Sequence, residues 1–417
     1  MNTSKDWIYN TNIYEVNVRQ YTKEGTFNAF AHHLPRLKEM GVQILWFMPV
    51  TPISKKEMKG SLGSYYACSD YTSINPEFGT LIDFKHLVDY AHKLGMKVII
   101  DWVANHTGWD HVWTKEHPDW YEHENGDFKR ASGMDDIIEL DFTNTEMRKA
   151  MIDAMKFWVR KCGIDGYRCD LAFWVELDFW LEAIPQLNEL KPLFWLAEAD
   201  PLDYPDYMQV FDAAYTWTWM HKTEEWYKKE LPLLELRNVL VQYDTAPGMK
   251  AWFTSNHDEN SWNGSEYEKY GNAVKALAVH SCTWPGIPLI YSGQELPNKK
   301  RLKFFDKDVI EWRKCCDLHE FYQTLLNLHH NHPALGVNGE LFRLHTSADD
   351  KVLAYLRKNG GHEVVVLLNL SPHLARFDVL ESWVSGTFRE AFTYATNDFV
   401  SNRNFEMKGW QWLVWVR

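Results

Sequence analysis

The sequence has no long apolar segment. None of its 417 residues belongs to a run that approaches the ~20 consecutive apolar residues of a membrane span. The first six residues, Met-Asn-Thr-Ser-Lys-Asp, are polar and no apolar core of signal-peptide length follows them. We therefore expect no membrane partner and predict a cytoplasmic protein.

Cysteine is scarce, and basic side chains do not outnumber acidic ones. The six cysteines are scattered without a Cys-x-x-Cys pair, which argues against a disulfide framework or a zinc motif and indicates reduced thiols. Lysine and arginine total 44 against 57 acids, and the net charge is −13. Nucleic acids require a basic surface, so we expect no nucleic acid partner. A neutral substrate is favoured, and the oligomeric state is not encoded.

Strand-like and helix-like segments alternate along most of the chain. Buried-strand patterns are predicted at 13–18, 44–49, 97–101, 163–170, 194–197, 210–214, 251–254 and 288–291. Helical patterns are predicted at 27–40, from Thr80 to Gly95, from Thr143 to Gly163, and at 266–282. Eight such units predict an α/β fold, a (β/α)8 TIM barrel that spans residues 1–106 and 141–348.

Two segments interrupt the alternation. Residues 107–140 lack a helical period and are too long for an ordinary loop, so we predict a short inserted subdomain after strand 3. Its Trp120 and Tyr121 could form a substrate platform or the core of the insertion. Residues 349–417 contain only strand patterns and turn signals, which predict a C-terminal antiparallel β domain.

Polar side chains follow several of the predicted strands. Arg168 and Asp170 lie two residues apart on one strand, so both point to the same face, and the guanidinium is expected to keep the carboxylate ionised. The segments 101–106, 195–198 and 253–258 also end in acids or contain histidines. Because the carboxyl ends of barrel strands meet on one face, the sequence predicts a single active site there.

These four segments, in this order and spacing, closely resemble the α-amylase family, glycoside hydrolase family 13. The resemblance implies that Asp170 is the nucleophile, Glu198 the general acid/base and Asp258 a third acid that binds sugar hydroxyls. It also implies that the subsite of the cleaved glucose is lined by Tyr66, Asp101, His106, Arg168 and His257. Two carboxyl groups about 5–5.5 Å apart suit a retaining reaction, and the neighbouring acids are expected to raise the pKa of Glu198.

The chain departs from the family pattern after the nucleophile. Many members have lysine and histidine where this sequence has Phe173 and Trp174. Recognition of the leaving group is therefore expected to be more apolar.

No metal or cofactor is predicted to be required. Asn105 matches a residue that often binds a structural calcium, and Asp127, Asp135 and Asp136 could supply acids, but this set is not diagnostic and no Ca2+ site is predicted. The pairs His32-His33 and His329-His330 lie on predicted helices, where adjacent side chains diverge, so no metal site is expected there either.

The predicted function is retaining hydrolysis of α-1,4-glucosidic bonds in maltooligosaccharides or starch fragments, with an α-glucan oligosaccharide as the partner. A 4-α-glucanotransferase and a cyclomaltodextrinase or α-glucosidase-type relative use the same residues and stay open. An inactive glucan-binding protein is disfavoured because all three acids are present. The sequence does not encode whether attack is internal or from a chain end.

Overall fold

The computed structural model describes residues 5–312 and 316–417 of the chain. Residues 1–4, which entered the signal-peptide prediction, and Cys315 lie outside the described residues. Among the described residues, Cys68, Cys162, Cys169 and Cys282 are free thiols and are buried, in line with the expected reduced thiols.

A closed barrel of eight parallel strands forms the centre of the molecule. The strands are β1 Ile13–Val16, β2 Ile44–Phe47, β3 Lys97–Trp102, β4 Gly166–Cys169, β5 Phe194–Ala197, β6 Ala213–Tyr215, β7 Met249–Trp252 and β8 Ile287–Tyr291. Each strand pairs with its neighbours in chain order, and β8 closes the ring by pairing with β1. The predicted (β/α)8 barrel is confirmed, and β1 lies across it from β5.

Helices surround the barrel and connect its strands. They are Val18–Tyr21, Phe27–Ala31, Leu34–Met40, Leu81–Lys93, Trp113–Glu116, Thr145–Cys162, Leu177–Asn188, Trp217–Lys229, Leu233–Asp244, Glu266–Tyr270, Val274–Thr283 and His319–Asn331. In the described part of the chain, none combines the length and the apolar character that crossing a membrane requires.

Three helix predictions require correction. The helix predicted at 266–282 is two helices, Glu266–Tyr270 and Val274–Thr283, separated by the turn Gly271–Ala273. The predicted helix at 27–40 is two helices, because Pro35 in the first turn of the second helix cannot continue a helix from the preceding turn. His32 and His33 therefore lie at the break between the two helices. The helix predicted to open at Thr143 is capped instead by Asn144, whose side chain accepts hydrogen bonds from two backbone N–H groups of the first turn.

Strand limits also differ at two places that matter for the site. Strand β1 ends at Val16 rather than residue 18, because Asn17 caps a short helix with its side chain. Strand β7 ends at Trp252, so the segment that carries His257 and Asp258 lies above the barrel, where a π-helical turn Glu259–Asn263 follows.

The insertion after β3 is a small unit with two pairs of short strands. His106–Gly108 pairs with Ile137–Glu139, and His123–Glu124 pairs with Asp127–Phe128. Trp120 and Tyr121 are both buried, and Trp120 stacks on His117 with ring centroids 3.8 Å apart. Of the two interpretations left open for this pair, the structure supports packing.

A six-stranded antiparallel sheet and a two-stranded sheet end the chain. Their strands are β9 Glu340–Leu344, β10 Val352–Asn359, β11 His362–Asn369, β12 Ala375–Asp378, β13 Thr387–Glu390, β14 Thr396–Asp398, β15 Asn404–Met407 and β16 Trp412–Val416. The larger sheet has the order β9-β10-β11-β16-β13-β14, and β12 pairs with β15. The larger sheet begins with β9, before residue 349, the predicted start of the domain.

Asp165, just before β4, forms hydrogen bonds and ion pairs at the amino-terminal end of the barrel. Its buried carboxylate accepts a hydrogen bond from the Val98 backbone and contacts His92 at 2.6 Å and Lys191 at 2.7 Å. Burial alone would raise the pKa of Asp165, but the hydrogen bond from His92 and the charges of Lys191, His92 and Lys97 lower it to about 2. The ionised carboxylate therefore stabilises the fold.

We predict that Asp165→Asn lowers the free energy of unfolding by about 2–3 kcal/mol at pH 7. This is the free energy that corresponds to the difference between the pKa of Asp165 in the unfolded and in the folded protein. Because the folded pKa lies below the unfolded value of about 4, this contribution is complete above pH ~4 and is lost as the pH falls toward 2. Urea unfolding of both proteins between pH 7 and pH 3 measures it. The exposed Asp153→Asn serves as control. A constant difference down to the lowest pH, or none at pH 7, would contradict the assignment.

Candidate active site

The carboxyl ends of the barrel strands surround a cavity of about 410 Å³. Asp170 directly follows β4 and Glu198 directly follows β5, and each is positioned by a backbone hydrogen bond to the preceding strand of the ring. The cavity is lined by Lys59, Ser64, Tyr66, His106, Met134, Asp136, Ile137, Asp170, Leu171, Glu198, Asp258, Trp262, Phe304 and Phe305. The structure thus brings all three predicted catalytic acids to one place.

Arg168 connects the carboxylates of three neighbouring strands. Its guanidinium is fully buried and lies 2.9 Å from Asp101, 3.0 Å from Asp170 and 2.8 Å from Glu198. It also lies over the ring of Trp46, 5.0 Å from the centroid. Because Asp170 and Glu198 contact the same guanidinium, their carboxyl groups lie side by side at the cavity floor.

The protonation of Asp170 and Glu198 differs from the state that the sequence predicts. Arg168 was expected to hold Asp170 ionised, but it is shared among three carboxylates. Burial and the Glu198 carboxylate raise the pKa of Asp170 well above its ordinary value, against the opposing charge of Arg168. Burial also raises the pKa of Glu198, with Arg168 opposing and Asp258 adding to the rise. Asp170 and Glu198 therefore titrate as a pair that retains a proton.

Asp258 stays ionised through its neighbour His257. Burial alone would raise the pKa of Asp258, but the charge and hydrogen bond of His257, 3.2 Å away, lower it. The other ring nitrogen of His257 lies 2.5 Å from the buried carboxylate of Glu15 in β1. Burial would lower the pKa of His257, whereas Asp258 and Glu15 raise it well above its ordinary value. A charged imidazolium thus lies between two carboxylates.

Glu15 was missed by sequence reasoning. Its position in a strand whose four residues are all buried was the available signal, because an acid in such a strand requires a partner. The partner lies more than two hundred residues away in the chain, so the sequence pattern does not reveal it.

Of the five residues expected to line the glucose subsite, Tyr66 and His106 line the cavity, whereas Asp101, Arg168 and His257 are buried and do not. The Tyr66 hydroxyl donates to Asp101 at 3.0 Å, and its ring stacks on His257 with centroids 5.4 Å apart. His106 lines the cavity, and burial lowers its pKa to about 3, which makes it neutral. Its Nε2 has no hydrogen-bond partner, so it is available to a bound hydroxyl group.

The structure separates the two aromatic residues expected to recognise the leaving group. Trp174 borders a second cleft, of about 880 Å³, together with Trp109, and its ring lies 6.4 Å from that of His106. Phe173 instead stacks on Tyr204 at 4.3 Å and lines neither cavity. Trp174 therefore reaches the site, and Phe173 supports the loop beneath it.

The three aspartates that could supply calcium ligands contact other groups instead. Asp136 pairs with Lys59 at 2.6 Å, Asp135 pairs with Arg130 at 3.3 Å, and Asp127 accepts a hydrogen bond from the Phe128 backbone. Asn105 contacts the His106 ring. Within residues 5–312 and 316–417, no three His, Cys, Asp or Glu side chains converge in a way that could hold a metal ion.

Comparisons with known proteins agree with this geometry. A family model described as the α-amylase catalytic domain matches residues 4–133 and 117–181. The crystal structure of an α-amylase from Lactobacillus plantarum is 30% identical, with a TM-score of 0.88 over 99% of this chain and 100% of that one. The maltogenic α-amylase AmyB from Thermotoga neapolitana is 28% identical, with a TM-score of 0.89 over 98% of both chains.

A curated relative is longer than this chain. The α-amylase MalA of Haloarcula japonica is 27% identical over 387 residues, which cover 87% of this chain and 56% of that protein. The chain therefore spans little more than half of that relative.

We predict that Glu15→Gln lowers the pKa of His257, because it removes one of the two carboxylates that favour the imidazolium. NMR titration of protein labelled with 15N-histidine measures the change directly. Glu77→Gln, which removes a carboxylate that pairs with Arg19, is the matched control and should leave His257 unchanged. An unaltered His257 titration in a folded Glu15→Gln protein would show that Glu15 does not set its charge.

Proposed function

The chain belongs to the α-amylase family, and on that basis we propose that it is a retaining glycoside hydrolase acting on the α-1,4-glucosidic bonds of maltooligosaccharides. One observation carries the proposal: Arg168 holds Asp170 and Glu198 side by side in a cavity whose rim also carries Asp258. Two neighbouring carboxyl groups, one ionised and one protonated, are the requirement for a double displacement at an anomeric carbon.

In the first step, Asp170 attacks the anomeric carbon while Glu198 gives its proton to the glycosidic oxygen. The C–O bond to the leaving chain breaks, and a glucosyl ester forms on Asp170. Arg168 contacts both carboxyl groups, so it stabilises the negative charge that appears on Glu198 as its proton leaves.

In the second step, Glu198 takes a proton from water and the oxygen of that water attacks the same carbon. The ester to Asp170 breaks, and the sugar returns to its original α configuration. Two inversions at one carbon therefore give net retention.

The transition states of both steps resemble an oxocarbenium ion. The ionised Asp258 and the carboxylate of Asp170 supply negative charge beside this cation, within a site largely removed from water. The unpartnered Nε2 of His106 and the Tyr66 ring at the rim supply a polar contact and a stacking face for the sugar.

The second cleft offers aromatic rings to further sugar units, although most of its other lining residues are charged or polar rather than apolar. Trp174, four residues after Asp170, borders the 880 Å³ cleft together with Trp109. Aromatic rings in such a cleft can stack on the flat faces of further glucose units.

We predict that Asp170→Asn lowers kcat on maltotriose by at least about 10³-fold, or about 4 kcal/mol, while calorimetric binding of maltotriose persists. The amide keeps the shape of the side chain but cannot form the glucosyl ester. Asp203→Asn, an exposed aspartate on the loop after β5, is the control and should keep full activity.

Chromatography of the products in both proteins distinguishes hydrolysis from transfer. Glucose and maltose should dominate with the wild-type enzyme, even at high maltotriose concentration. Longer oligosaccharides in excess would indicate a 4-α-glucanotransferase instead. Near-normal turnover by Asp170→Asn, or no cleavage by the wild type, would refute the proposal.

A further inference from the structure

One side of the catalytic cavity is closed by a wall built from several loops. Lys59 comes from the loop after β2, Asp136 from the insertion, Trp262 from the turn after β7, and Phe304 and Phe305 from the segment after β8. Trp262 packs against both phenylalanine rings, with centroids 5.4 and 5.6 Å apart. The proposed mechanism uses none of these residues.

The loop after β2 is hydrogen-bonded to the segment after β8. The Leu62 backbone N–H donates to Phe305 at 3.0 Å, and the Ser61 hydroxyl and backbone N–H donate to Asp306. Gly60 has a φ of +64°, and a Cβ there would lie 2.4 Å from the Cβ of Phe305. This close approach requires glycine and leaves no opening between the two segments.

The same loop is fixed to the insertion at two further points. Asp110 accepts hydrogen bonds from the backbone N–H groups of Lys55 and Lys56. Beside the cavity, the Lys59 ammonium group lies 2.6 Å from the carboxylate of Asp136. The Asp136 side chain is 7% exposed and that of Lys59 is 37% exposed, so the lysine lies between the cavity and solvent.

The order of the barrel strands determines which end of the substrate meets this wall. β1 lies across the barrel from β5, and its neighbours β2 and β8 are the strands that precede Lys59 and Phe305. Glu198, which protonates the leaving group, follows β5. The wall therefore lies across the cavity from the leaving group, where the non-reducing part of the glucan would extend.

We infer that the Lys59–Asp136 ion pair is a specificity determinant that closes the cavity beyond the glycone and makes the enzyme act from the non-reducing ends of α-glucans. The inference rests on the proposed function and adds the direction and position of attack. A cavity of about 410 Å³, near the lower end of the ~300–1,000 Å³ of small-molecule sites, leaves room for only a short glycone.

The test compares two maltoheptaoses that carry a fluorescent label at the reducing end. One has a free non-reducing end, and in the other this end is blocked by a 4,6-O-ethylidene group. The wild-type enzyme should cleave the free substrate to one dominant labelled product and should cleave the blocked substrate poorly, because the block cannot enter a closed cavity.

Lys59→Ala and Asp136→Ala each remove one side of the ion pair. In both variants the ratio of blocked to free cleavage rates should rise at least about tenfold, and the labelled products should vary in length. Lys55→Ala, an exposed lysine on the same loop outside the cavity lining, should keep the wild-type ratio.

The outcomes separate this inference from the proposed function. If the wild type cleaves the blocked and free substrates equally, or if both folded variants keep its ratio, the ion pair does not close the site. If the wild type cleaves neither substrate nor maltotriose, the proposed function itself fails. Thermal unfolding of each variant verifies that its fold is retained.

Discussion

The ion pairs of Arg168 are the interaction on which the active site depends. A single buried guanidinium contacts carboxylates at the ends of three adjacent strands, and without it Asp101, Asp170 and Glu198 would place three negative charges in one buried region. Such a cluster contributes little to net stability, because removing charges from water costs about as much as their attraction returns. Its value is that it holds the two reacting carboxyl groups close together, in surroundings that raise the pKa of both.

A second buried charge network sets the state of the third acid. His257 lies between Asp258 and Glu15, so the strand across the barrel from Glu198 helps to keep Asp258 ionised. The two networks meet at Tyr66, whose hydroxyl contacts both Asp101 and His257. Acids that would otherwise have similar pKa values are thus separated: the pKa values of Asp170 and Glu198 are raised and that of Asp258 is lowered, which is the division that acid/base and electrostatic roles require.

Much of the barrel could be predicted because its strands carry local patterns, and the three candidate acids were located by the resemblance of four segments to the α-amylase family. The strands carry short apolar runs, and Asp170 and Glu198 directly follow such runs, whereas Asp258 lies six residues after the end of β7. The break before Leu34 was missed although Pro35 is visible, because the apolar stripe continues across it. Phe173 was misplaced because adjacent side chains of a turn point in different directions.

The remaining residues of the site depend on contacts between distant parts of the chain. Glu15 acquires its role from His257, and Lys59 acquires its partner from the insertion. The sharing of Arg168 among three carboxylates likewise follows from the closure of the barrel rather than from the spacing of Arg168 and Asp170. No periodicity encodes such pairings, since each loop sequence is compatible with many neighbours.

The central claim is that Asp170 forms the bond to the sugar while the adjacent Glu198 transfers the proton. The most direct measurement is to treat the enzyme with 5-fluoro-α-D-glucosyl fluoride, whose fluorine slows breakdown of the glucosyl-enzyme by disfavouring the oxocarbenium-like transition state. Peptide mapping by mass spectrometry then locates the label. The account predicts a single glucosyl ester on Asp170, whereas a label on Glu198, on Asp258 or on any other residue would contradict it.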